Sequence, residues 1–133
     1  MRRGNSRAGS ALIEFAGSLI LLSAMFAGIF QAGYTFFTYS SLVNAVRAGA
    51  RYASIGPHTD TAVRNLVVYG DPAPAANAKP LAPGLNPAHV ELILSPATAT
   101  VSLRGFEIDA LFSKVKLDGR PSVTFPIAGG EKQ

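Results

Sequence analysis

The sequence has no cysteine, which excludes disulfides, thiolate metal sites and cysteine nucleophiles. Whatever folds from it holds together by packing alone. It has two histidines, His58 and His89, far apart and outside any metal-ligand spacing such as HExxH; both read as surface residues. Charge is scarce, 15% of residues, and negative charge is scarcest at the start, where residues 1–56 contain a single acid, Glu14. No serine has a matching His/Asp context, and no glycine-rich phosphate loop occurs. Glu107 and Asp109 are two apart and share a face if they lie on a strand, a commonplace arrangement for exposed acids near a turn. Nothing assembles a nucleophile, a base and an oxyanion site. The sequence therefore reads as a non-enzyme, with no cofactor and no metal site.

The formal charge of +4 is unevenly placed. Residues 1–56 carry Arg2, Arg3, Arg7, Arg47 and Arg51 against Glu14, which accounts for all of it, while residues 57–133 carry seven basic and seven acidic side chains. A nucleic-acid binder would carry its basic excess as a patch on the folded domain, so no nucleic-acid partner is expected. The basic character reports membrane topology instead. Residues 15–46 (FAGSLILLSAMFAGIFQAGYTFFTYSSLVNAV) form an uncharged run of 32, and a spanning helix needs only about 20 largely apolar residues. Arg2, Arg3 and Arg7 flank the run on its N-terminal side and place that end in the cytoplasm. A cleaved secretory signal peptide fits poorly. Its apolar core runs to roughly 7–15 residues, Glu14 stands at the start of this one, and no clean small-x-small cleavage site follows.

Residues 1–9 read as a flexible, basic cytoplasmic leader. Residues 10–56 read as one helix, half in a bilayer and half projecting into water. Ser10 is its expected N-cap, and Glu14 falls in or near the first turn, where a carboxylate complements the helix dipole. Residues 11–37 are the spanning part, with Tyr34, Phe36, Phe37 and Tyr39 as an aromatic belt at the far interface. Ala24, Gly28 and Ala32 recur every four residues and form a small-residue ridge of the kind that lets helices approach closely in lipid. Over residues 40–54 the helix becomes amphipathic. Ser40, Asn44, Arg47, Arg51 and Ser54 form a polar stripe opposite Leu42, Val43, Val46, Gly49, Ala50 and Ala53, the pattern of a helix laid on a sheet, with Gly49 permitting a close crossing. Gly56-Pro57 ends it.

Residues 57–133 are expected to form a small α+β head. Thr59 or Asp60 caps a short helix with Val63, Leu66 and Val67 on one face and Gly70 as its stop. Residues 71–87 hold five prolines and form a loop. Residues 90–95 and 98–104 alternate as a hairpin around Pro96-Ala97. Gly105 suggests a bulge, after which Phe106 and Ile108 continue the strand. Residues 109–117 are open between a helical turn and a short strand, Asp118-Gly119 is a tight turn, and residues 122–127 give a last strand that Pro126 places at an edge or at its end. Residues 128–133 read as a loose tail. The fold class is thus α+β: a long N-terminal transmembrane helical spine with a small extracytoplasmic antiparallel β-sheet head.

The N-terminal third resembles the TadE-like family, minor pseudopilins of the tight-adherence (Flp-type) pilus machinery. The likeness rests on residues 7–15 (RAGSALIEF), the aromatic run at 33–39, and Asn44-Ala45-Val46-Arg47-Ala48-Gly49-Ala50-Arg51-Tyr52. The resemblance implies a pilin-like architecture and cutting by a prepilin peptidase after Gly9. The mature chain would then begin Ser10, Ala11, Leu12, Ile13, Glu14, with the glutamate in fifth place and Phe15 beside it, as in this pilus class. It also implies a bacterial inner-membrane location, with the head periplasmic or extracellular, and as partners the membrane, the peptidase, other pseudopilins and pilus assembly proteins. Two other readings stay open. One is an uncleaved single-pass anchor or scaffold with a protein-interaction head; the other is a small extracytoplasmic enzyme or ligand-binding head.

Overall fold

The structure is a computed structural model that describes residues 6–56, 59–110 and 112–127, and only the backbone at 6–8. Arg2, Arg3, Pro57, His58 and the tail 128–133 lie outside the described residues. The fold is α+β, a long apolar N-terminal helix followed by small antiparallel sheets. The chain divides into two compact units, residues 1–34 and 35–133.

Helix α1 spans Ser6–Ile55. No proline precedes Pro57, and the segment is rich in alanine and leucine, the side chains that lose least on entering a helix. It begins four residues before Ser10, which therefore lies inside the helix rather than capping it, and its first turn contains no acid. Within the first unit nearly every side chain from Gly9 onward is exposed. Ser18 and Ser23 donate their hydroxyls to the carbonyls of Glu14 (2.9 Å) and Leu19 (2.8 Å) one turn back. That satisfies each hydroxyl within its own helix and lets a polar group sit on an apolar surface.

In the second unit, α1 buries one face. Leu42, Val46 and Ala50 are fully buried, with Ala45 and Ala53 nearly so. Ser54 is also buried, because its hydroxyl turns back to the Arg51 carbonyl (2.8 Å) and needs no water; it belongs to the inner face rather than to the polar stripe. Helix α2, Asp60–Tyr69, starts at Thr59, whose side chain accepts from the Ala62 N–H, and stops at Gly70 in the left-handed conformation (φ 76°). Its Val63, Val67 and Val68 are buried. A Cβ added at Gly49 would collide with Val67 Cγ2, so hydrogen alone fits where α1 meets α2. Any larger side chain at this position overpacks the crossing, which costs about 1–3 kcal/mol.

The loop at 71–87 has no regular structure until a short 3-10 helix at Pro87–His89, as its proline content dictates. It is nonetheless fixed: Leu81 N–H donates to the Val68 carbonyl (2.8 Å), and Ala82 and Leu85 are buried. Strands β1 (Val90–Leu94), β2 (Thr98–Leu103) and β5 (Ser122–Pro126) form a sheet in the order β1-β2-β5. Both pairs are antiparallel, with Leu92 opposite Val101 and Val101 opposite Val123. Ala99, Val101 and Leu103 of the central strand are buried, and Thr100 and Thr124 share a hydroxyl hydrogen bond (2.8 Å) across β2 and β5. β5 is an edge strand, and Pro126 is its last residue.

The hairpin β1-β2 does not extend beyond Leu103. Gly105, at φ 62°, turns the chain instead of bulging it, and β3 (Phe106–Asp109) pairs with β4 (Lys114–Leu117) in a separate two-stranded sheet. Residues 114–117 are thus strand. The turn at Asp118-Gly119 leads out of one sheet and into the other, and its Gly119 N–H donates to the Leu103 carbonyl (2.8 Å).

Candidate functional site

Two regions of the surface carry features that the core does not require. The first is the start of α1. Gly9 and Ser10 are helical and exposed, and a Cβ added at Gly9 meets nothing within 4 Å. The first four N–H groups of a helix have no carbonyl one turn back, and in α1 these belong to residues 6–9. The Gly9–Ser10 bond therefore sits where a helix frays most easily. Ser10 and Glu14 are four apart and lie on one face. Glu14 and Phe15 are exposed, as are Leu12 and Ile13. Glu14 stands eight residues into α1, past the turn over which the helix dipole acts. Arg7 falls within α1.

Further along α1, Ala24, Gly28 and Ala32 are exposed, and open space surrounds a Cβ built at Gly28. Phe36 and Phe37 are 73% and 71% exposed, large apolar side chains that no part of the described chain covers. Among the described residues one helical stretch, Gly9–Ile55, is long and apolar enough to cross a membrane. With its apolar surface outward, α1 suggests membrane anchoring.

The second region lies wholly within the second unit. Asn44, Arg47, Ala48, Arg51, Tyr52 and Ile55 of α1, Leu66 of α2 and Phe125 of β5 line a groove of about 520 Å³. The polar stripe of α1 marks one wall in the sequence. The other wall, Leu66 and Phe125, comes from elements 11 or more residues away and has no sequence signal of its own.

Three of the other residues singled out in the sequence, His89, Glu107 and Asp109, have structural partners. His89 accepts the Asn86 N–H at Nδ1 (3.3 Å) and sets its ring edge-on to Phe106 at 5.5 Å, so it helps start the short 3-10 helix. Glu107 and Asp109 pair with Lys116 (3.5 Å) and Lys114 (3.2 Å) across β3 and β4. Among the described residues, no three His, Asp or Glu side chains gather as a metal site would require.

Residues 9–51 match the family model described as TadE-like protein. The match begins at Gly9 and ends at Arg51, so it takes in Glu14, Phe15 and most of the α1 face that the second unit buries. No curated protein and no solved structure matches the chain.

Proposed function

Residues 9–51 being TadE-like, which suggests a protein associated with the tight-adherence pilus, we propose that this chain is a minor pseudopilin taking part in assembly of that pilus or of a related secretion machinery. It works without catalysis of its own. The observation that carries the reading is the extent of the family match: it starts at the glycine that would precede a prepilin-peptidase cut and includes the glutamate five residues on. In this reading α1 anchors the chain in the inner membrane, the arginine-bearing leader is cytoplasmic, and the second unit lies on the far side.

Topology is tested by fusing, after Gln133, a reporter that is active only outside the cytoplasm. Activity is expected; activity solely from a cytoplasmic reporter at the same position rejects this orientation.

Processing is tested by intact mass. Coexpression with a cognate prepilin peptidase should remove residues 1–9, and Gly9→Leu should abolish the mass change. An unchanged mass with the peptidase present, or normal cutting of the Gly9→Leu chain, removes the peptidase from the account. One observation favours the alternative of an uncleaved single-pass anchor with a protein-interaction head: α1 already runs through Gly9 and Ser10, and a protease needs that bond extended. Opening one frayed turn costs little, so the mass measurement decides between the two readings.

A further inference from the structure

The groove beside α1 has an electrostatic property that the pseudopilin reading does not use. Residues 35–133 hold nine basic and seven acidic side chains. Four of the acids are paired within the unit: Asp60 with Arg64 (2.7 Å), Glu91 with Arg104 (2.8 Å), Asp109 with Lys114 (3.2 Å) and Glu107 with Lys116 (3.5 Å). Arg47 and Arg51 have no acid partner among the described residues. They stand four apart on α1, so their side chains leave one helix face side by side. Both line the groove, next to the apolar side chains of Ile55, Leu66 and Phe125, and Ile55 is 63% exposed. A bulky apolar side chain at a helix end thus stands exposed beside two guanidiniums that no acid among the described residues neutralises.

We infer that this groove docks a segment of another protein that carries carboxylates beside a bulky apolar side chain. Charge complementarity selects the occupant. A guanidinium takes a carboxylate through two parallel N–H bonds, and the apolar neighbours give a leucine or phenylalanine of the same segment a place out of water. The volume, about 520 Å³, is that of a site for a few side chains. Lipid headgroups are recognised by clusters of about 4–8 basic residues, and nucleic acid by a broad, strongly positive face of roughly 600–1,000 Å² or more; two guanidiniums around an apolar floor suit neither. The inference depends neither on cleavage after Gly9 nor on Glu14.

The test uses the full chain in phosphatidylcholine nanodiscs and a fluorescein-labelled probe peptide, Glu-Glu-Leu-Phe amide, read by anisotropy. The same peptide with Gln-Gln in place of Glu-Glu is the control. An exposed ion pair changes affinity by up to about fivefold. The acidic peptide should therefore bind roughly tenfold or more tightly than the control, and added salt should narrow the gap. Arg47→Gln with Arg51→Gln, at exposed positions that leave the fold intact, should erase the difference, while Arg47→Lys with Arg51→Lys should keep part of it. Phe125→Ala should weaken both peptides alike. No binding of the acidic peptide, or equal binding of both, overturns the inference. So does arginine-dependent capture of phosphatidylserine nanodiscs without peptide binding, which makes the face a membrane contact. Self-association abolished by the double Gln variant, again without peptide binding, overturns it in favour of a second copy.

Discussion

Val46→Asp unfolds the sheet-bearing unit. Val46 has no exposed surface, and an aspartate there is a charge with neither water nor a partner. Removing a carboxylate from water costs several kcal/mol even after relaxation, against a total stability of about 5–15 kcal/mol for an ordinary domain. This unit stands at the low end of that range, since a small domain buries a smaller share of its surface and the chain has no cysteine to staple it. Asn44→Asp, two residues back and on the exposed side of the helix, carries the same new charge and should shift stability by no more than about 0.5 kcal/mol. Limited proteolysis and a urea titration of the full chain in detergent separate the two. A Val46→Asp chain as protease-resistant as wild type shows that Val46 does not support the core.

Glu14→Gln is expected to leave insertion normal and cleavage nearly so, and to abolish incorporation into a pilus or pilus function. The substitution keeps the shape and removes the charge. A charge at the bilayer centre costs roughly 2.5–3.5 kcal/mol on insertion scales, and less near an edge, so membrane insertion alone does not forbid the acid. Before processing, α1 extends past it to Ser6 and the helix dipole offers it little. A cut after Gly9 alters both conditions. Glu14 would lie within about one turn of the new helix start, and Ser10 would gain a free ammonium at nearly the same depth. In the proposed assembly the carboxylate of one subunit meets the ammonium of its neighbour, which fixes axial register and lowers the burial cost of both charges. Quantifying surface pili alongside intact mass gives the answer. Wild-type piliation by a normally cleaved Glu14→Gln chain reduces Glu14 to an interfacial acid.

What the sequence revealed depended on how local the cause was. α2 could be read from Thr59, its periodic valines and Gly70 because cap, face and stop all act within a few residues. The hairpin β1-β2 was visible in strict alternation on either side of Pro96-Ala97. The start of α1 was not, because Ser10 suits a cap by residue type alone, whereas the helix already runs through it from Ser6. The path after Leu103 was also hidden. Phe106 and Ile108 alternate as well in a new strand as in a continued one, and only the cross-strand partners Leu117 and Val115 decide. Gly9, Ser10, Glu14 and Phe15 were singled out through the family resemblance that their order along the chain carries, and they fall within the stretch that matches the family model. The groove was legible on one side alone: Arg47 and Arg51 follow from helical spacing, whereas Leu66 and Phe125 arrive through tertiary packing.

Arg64 has an effect beyond its ion pair with Asp60. Its guanidinium also donates to the carbonyls of Pro87 (3.1 Å) and Val90. Val90 opens β1, an outer strand of the three-stranded sheet. An unpaired strand edge is a template for another chain's strand. Here the first acceptor on that edge is already taken, and a positive charge stands in the path of any strand sliding in. Only the few residues up to Leu94 remain before Pro96 breaks the line. That edge of the sheet is thereby guarded against pairing with a strand of another copy, which leaves β5 as the sheet's one open side.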